Sequence, residues 1–249
     1  MKTLTNQSVI ELLKNDEEYY RGVGKRYLSN SDIGVLLNNP QDYGKVREDD
    51  KALAEGRLFH QLLLEPDKVR DIPQVDVSTR TTKAYKDFLE ENNLRFCLLT
   101  KEIEDIKALT KKMSGNIQFY EDIYRDENEY EVPMIGDIMQ HSWKGKADIV
   151  CSDMLIDLKT TSDINSFKWS ARKYNYDSQC YIYQELFNKP LVFYVIDKLT
   201  GQLGIFRPSE NFVKNGKEKV ARAITVWDKY FGPFAEESID NHYIDETLE

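Results

Sequence analysis

Cysteine is scarce: Cys97, Cys151 and Cys180 are widely separated in 249 residues and form no C-x-x-C pair. This excludes a disulfide framework, a thiolate zinc site and a four-cysteine iron–sulfur cluster, so any metal would need oxygen and imidazole ligands. Long apolar runs are missing too, since none approaches the ~20 residues that span a bilayer. The opening MKTLTNQSVIELLKNDEEYY lacks an apolar block followed by a cleavage site, and a cytoplasmic protein with no membrane association is expected. Positive charge is in the minority, 34 Lys and Arg against 43 Asp and Glu, for a net −9. Such a chain does not coat nucleic acid by bulk charge, although one positive groove remains compatible with it. Apolar residues (41%) and aromatics (12%) suffice for one sizeable core.

Hydrophobic periodicity divides the chain. Helical spacing is expected over 8–20, then over a short helix that Ser31 can cap and Pro40 ends, and over 51–65, where Pro66 stops it. Residues 67–82 are polar and read as an exposed loop; helical periodicity resumes over 82–124. From Glu129 the period switches to two, and strands are expected through Thr160. Two short helices follow over 163–174 and 177–188. A fully buried strand over 191–196 turns into a second over 203–207, and a helix over 211–230 precedes the tail. The pattern predicts an α/β domain over 27–235, a helical N-terminal extension over 1–26 and an acidic tail over 236–249.

The chemistry concentrates in Gly145-Lys-Ala-Asp148 and Asp157-Leu-Lys159-Thr160. If 151–154 is a hairpin loop, Val150 faces Leu155 and Asp148 faces Asp157, so two carboxylates oppose each other on one sheet face. Like charges there repel unless a divalent cation sits between them, which suits magnesium or manganese. The same argument expects Asp157→Asn to leave the metal-free fold intact or slightly more stable. Lys159, two residues on, projects from the face of Asp157. Gln179 and Tyr183 are four apart and Tyr176 precedes Gln179 by three, so one helical face can carry all three beside the carboxylates. His60 lies on an apolar helical stripe, where it is either a core histidine or a metal ligand. Glu131 reads as an exposed strand carboxylate, with a second metal as its other reading, and Asp137 and His141 read as surface residues.

These motifs, with Tyr27-Leu-Ser-Asn-Ser31 and Gly56-Arg-Leu-Phe-His60 upstream, closely resemble the RecE-type branch of the PD-(D/E)XK nucleases. Those are the exodeoxyribonuclease VIII-like exonucleases of phages and prophages. The resemblance implies a central mixed β-sheet flanked by helices. It implies Mg2+, replaceable by Mn2+, held by His60, Asp148, Asp157 and the carbonyl of Leu158. Lys159 would assist the hydrolytic water, and Gln179 and Tyr183 would complete the DNA-side motif. Lys168, Arg172, Lys173 and Tyr176 would touch DNA. The implied activity is 5′-to-3′ digestion of linear double-stranded DNA in phage-type homologous recombination, inside a bacterial host. A single-strand annealing protein would be the partner, and the assembly a homo-oligomeric ring of three or four chains, against a monomer. The rivals are a repair or defence endonuclease of the same superfamily and a non-catalytic DNA-binding relative.

Overall fold

The computed structural model describes residues 5–45, 50–69 and 72–244. Residues 1–4 of the N-terminal extension, 70–71 of the polar loop and 245–249 of the acidic tail lie outside that description. A five-stranded mixed sheet forms the centre: β3 (Glu129–Ile138), β4 (His141–Val150), β5 (Leu155–Thr161), β6 (Leu191–Asp197) and β7 (Leu203–Phe206), hydrogen-bonded in that order. β5 and β6 run parallel; the other neighbours are antiparallel.

β6 shows why both faces are covered. Its residues Leu191, Phe193 and Val195 enter one core, and Val192, Tyr194 and Ile196 enter the other. The first core packs α3 (Asn30–Asn38), α8 (Phe167–Lys173), α9 (Tyr176–Phe187) and α10 (Glu210–Tyr230) against the sheet. The second packs α4 (Lys51–Leu64), α6 (Thr100–Ser114) and α7 (Ile117–Ile123) against the opposite face. An apolar strand buried on both faces between two helical layers is the arrangement an α/β fold requires.

Several local expectations change. The first helix breaks into α1 (Asn6–Leu13) and α2 (Asp16–Tyr20), because the Asn15 side chain accepts the N–H groups of Glu17 and Glu18 and starts a new helix. Ser29, not Ser31, begins α3: the Asp32 carboxylate accepts both its N–H and its hydroxyl, at 2.7 and 2.8 Å. The supposed loop contains β1 (Gln74–Val75), paired in parallel with β2 (Leu98–Leu99), which divides α5 (Lys83–Glu91) from α6.

The N-terminal extension is clamped to the hairpin of β3 and β4. Val9, Leu13 and Tyr19 pack on Ile135. The buried Lys144 ammonium donates to the Tyr19 carbonyl at 2.5 Å, and Lys146 pairs with Asp16. Burial pushes the Lys144 ammonium down to about 8. Leu28 then bridges to β4 at Trp143, its N–H bonding the Ser142 carbonyl and its carbonyl the Lys144 N–H.

Candidate active site

Two departures from regular sheet open the site. Between β4 and β5 the described pairs are Val150 with Leu155 and Ile149 with Ile156, the register anticipated from sequence; one pair further, at Asp148 and Asp157, the ladder has ended. Between β3 and β4 the pairing passes from Tyr130–Ile149 to Val132–Ala147 and skips Glu131 and Asp148. Glu131 there has φ +51°, a left-handed conformation that an L-residue with a long side chain seldom adopts. Asp148 therefore sits in a wedge between diverging strands, with no continuous ladder on either side.

The wedge is lined by polar groups. The Leu158 N–H donates to Asp148 Oδ2 at 2.7 Å, and the Leu158 carbonyl lies 2.8 Å from His60 Nε2. His60 reaches in from α4, and its Nδ1 stands 3.4 Å from Asp148 Oδ1. Ligand atoms of His60, Glu131 and Asp148 all lie within 4.8 Å of one another. The expectation that Glu131 is an exposed strand carboxylate is corrected: it is half-buried and converges on this cluster.

Asp157 and Lys159 form the neighbouring half. Asp157 is 2% exposed; Gln179 Nε2 donates to its Oδ1 at 2.5 Å, and the Lys159 ammonium pairs with its Oδ2. Lys159 Nζ lies 4.9 Å from the Tyr176 ring centroid. Lys159 counters the charge of Asp157, while Asp148 still repels it.

The electrostatics follow. Burial alone would lower the His60 imidazolium, but Asp148 and Asp157 overcome both burial and Lys159 and push it up to about 9. Burial and the charge of Asp148 push Glu131 up to about 7, against His60 and Lys146. Burial acts to raise Asp148, yet His60, Lys159 and the Leu158 N–H hold it below the usual carboxylate range. Asp157 is shifted upward by burial and by Asp148, with Lys159 opposing. Burial would lower Lys159, and Asp157, Tyr176 and Asp148 more than offset it.

These groups fit a divalent cation. Carboxylate oxygens and one imidazole are the ligands of a hard or borderline ion, and the upward shift of His60 reflects an excess of negative charge that a cation would neutralise. The Leu158 carbonyl is presented in the same wedge. Asp157 could join only by loosening its pair with Lys159.

The remaining candidates fall into two groups. Gln179 and Tyr183 share α9, which presses on β4 at Gly145, where a Cβ would meet the Tyr183 ring at 3.0 Å. The Tyr183 hydroxyl donates to the Lys146 carbonyl at 3.0 Å and accepts the Lys146 N–H at 3.3 Å, so its phenol is engaged in holding β4. Lys168, Arg172 and Lys173 are exposed on α8, and Tyr176 is half-buried between Lys159 and Phe193. His141 is not a free surface residue: it bonds Asp228 of α10 at 2.8 Å and the Met139 carbonyl at 2.7 Å, away from the wedge. Asp137 is exposed and accepts the Ser142 hydroxyl within the hairpin. Tyr20, unremarked in the sequence, has Lys146 Nζ 6.0 Å from its ring centroid, and burial first, then Asp16 and Glu131, push its hydroxyl up.

Among the described residues no helix is long and apolar enough to cross a membrane. No curated protein matches the chain. Among solved structures, a protein of Eubacterium rectale titled "Putative exonuclease" aligns with TM-score 0.62 and 17% identity, over 94% of this chain and 96% of that one. That likeness is one of fold. A second, SSO0001, aligns at TM-score 0.32 and 13% identity over 80% of this chain and 85% of that one, too low to bear on the argument. The model of the PDDEXK-like domain of unknown function (DUF3799) matches residues 36–228, well over half of the sequence, and the chain belongs to that family.

Proposed function

We propose that the chain is a metal-dependent deoxyribonuclease, using Mg2+ or Mn2+ to hydrolyse phosphodiester bonds of linear double-stranded DNA. The observation that carries this reading is the convergence of His60, Glu131 and Asp148 in the strand wedge, with the Asp157–Lys159 pair beside them. His60, Asp148, Glu131 and the Leu158 carbonyl would hold the cation, with Asp157 as a further ligand. When bound, such a cation polarises a phosphoryl oxygen and lowers the pKa of water.

The chain's own residues supply the rest. Lys159, kept charged by Asp157 and steadied over Tyr176, offers a fixed positive charge to a phosphate as negative charge develops on it. Gln179 fixes Asp157 by one oxygen and leaves the other toward Lys159. Lys168, Arg172 and Lys173 position the strand through phosphates without reading bases. Tyr183 acts at one remove, by holding the β4 backbone that carries Asp148.

The 5′-to-3′ exonuclease activity, the phage-type recombination role, the single-strand annealing partner, the ring assembly and the bacterial cytoplasm rest on the order of the sequence motifs. End-labelled linear DNA and closed circular DNA, each incubated with and without Mg2+, test the activity. Digestion of the linear form alone supports an exonuclease; cutting of the circle supports the endonuclease reading; no cutting of either supports a non-catalytic relative.

A further inference from the structure

Two large aromatic rings lie open on α8 and at its end. Trp169 is 63% exposed and Tyr174 is 58% exposed. Single exposed aromatics are ordinary, but these two are interleaved with cations and connect to the catalytic lysine. Lys168 Nζ lies 4.1 Å from the Trp169 ring centroid, and Lys173 Nζ lies 5.9 Å from that of Tyr174. The Tyr174 centroid is 6.1 Å from that of Tyr176, whose ring carries the Lys159 ammonium at 4.9 Å. Trp169 shares a helical face with Arg172 and Lys173, three and four residues on. Tyr176 is anchored against Phe167 and Phe193. An aromatic and basic track therefore leads outward from Lys159 across the surface of α8.

We propose that this track is a binding site for single-stranded DNA, with bases stacking on Trp169 and Tyr174 and phosphates meeting Lys168, Arg172 and Lys173. In a duplex the base faces are already covered by their neighbours, so a surface ring gains little from them. In an unpaired strand each base offers a free face, and a ring–base stack strengthens binding irrespective of sequence. Cations alone would suffice to hold duplex phosphates; the open rings mark the unpaired strand as the ligand. The inference rests on the deoxyribonuclease reading and narrows it: the strand beside the wedge is a frayed end or a single-stranded tail.

The test uses the full chain in EDTA, so that nothing is cut, and follows fluorescence anisotropy with a labelled oligothymidine and a labelled blunt duplex. Trp169→Ala combined with Tyr174→Ala is expected to weaken oligothymidine binding by roughly 30-fold or more, at about one stack lost per ring, and to leave duplex binding unchanged. Trp169→Phe with Tyr174→Phe is expected to retain most of the oligothymidine affinity. Wild-type affinity in the double alanine variant, or equal losses on both DNAs, would overturn the track. Metal-dependent cutting of linear duplex by the wild type reads the parent proposal separately. Cutting combined with an unaffected double variant sinks the track alone, whereas a wild type that neither binds nor cuts DNA sinks both.

Discussion

At the scale of the residue, Asp157 is held between the Gln179 amide and the Lys159 ammonium, with 3% of its own side chain and 17% of the Lys159 side chain exposed. Asp157→Asn removes the counter-charge and leaves a half-buried ammonium facing an amide. Breaking a fully buried pair costs about 3–5 kcal/mol, and the residual exposure of Lys159 together with relief of the burial and Asp148 repulsion that push the Asp157 carboxyl up reduces this to about 1–2 kcal/mol. Chemical denaturation should show that loss in metal-free protein, which reverses the expectation of a neutral or stabilising change drawn from Asp148–Asp157 repulsion alone. His60→Ala and Glu131→Gln should each weaken Mn2+ binding by about ten-fold or more in calorimetry, while Asp137→Asn, exposed at the far end of the β3–β4 hairpin, should not. Unchanged Mn2+ affinity in both variants would remove these residues from the metal site. Asp148, Asp157 and Lys159 were legible because a four-residue loop fixes strand register. Glu131 was legible in principle by the same arithmetic carried across the next hairpin, where it falls opposite Asp148. In the sequence it ranks first as an exposed carboxylate and only second as a metal ligand because strand alternation alone points it outward, and the left-handed φ that turns it has no sequence signal of its own.

At the scale of the element, α9 and α10 cross with almost no gap. A Cβ on Gly216 would lie 1.9 Å from the Asp177 carbonyl oxygen and 2.3 Å from its carbon, both backbone atoms. Gly216→Ala should therefore force the helices apart at a cost of about 3 kcal/mol, the upper part of the overpacking range. That corresponds to a fall of roughly 6–12 °C in melting temperature for a chain of this size. Since α9 also carries Gln179, the displacement should reach Asp157. On the opposite layer, Glu102 in α6 accepts the Leu99 N–H at 2.9 Å and pairs with Arg80 and Lys51. Burial would raise its carboxyl, but Arg80, the Leu99 N–H and Lys51 together hold it down to about 2, from an ordinary 4.5. A depressed carboxyl contributes stability that is complete above its unfolded pKa and lost as pH falls through the folded one. Glu102→Gln should thus lower the melting temperature at pH 7, and its deficit against wild type should shrink between about pH 4.5 and pH 2. A deficit independent of pH over that window would show that charge is not what Glu102 contributes. Elements with strong periodicity, such as α4, β6 and α10, could be read from apolar spacing. β1 and β2, of two residues each, could not, because their pairing is long-range and leaves no local pattern.

At the scale of the whole molecule, a net charge of −9 coexists with a basic face on α8. Diffuse attraction gives such a chain little hold on DNA, which the proposed closed ring would supply geometrically. Light scattering should then give the mass of three or four chains; the mass of one chain with processive digestion would show that another device retains the strand. On the proposed reading, the wedge between β4 and β5 cuts DNA with a divalent cation. The most direct measurement is Mg2+-dependent hydrolysis of end-labelled linear duplex by the wild type beside Asp148→Asn, whose amide oxygen can still accept the Leu158 N–H and so preserve the fold. Cutting by the wild type that EDTA abolishes is expected, with a loss of at least about a thousand-fold in the folded variant. Equal cutting by both proteins would contradict it.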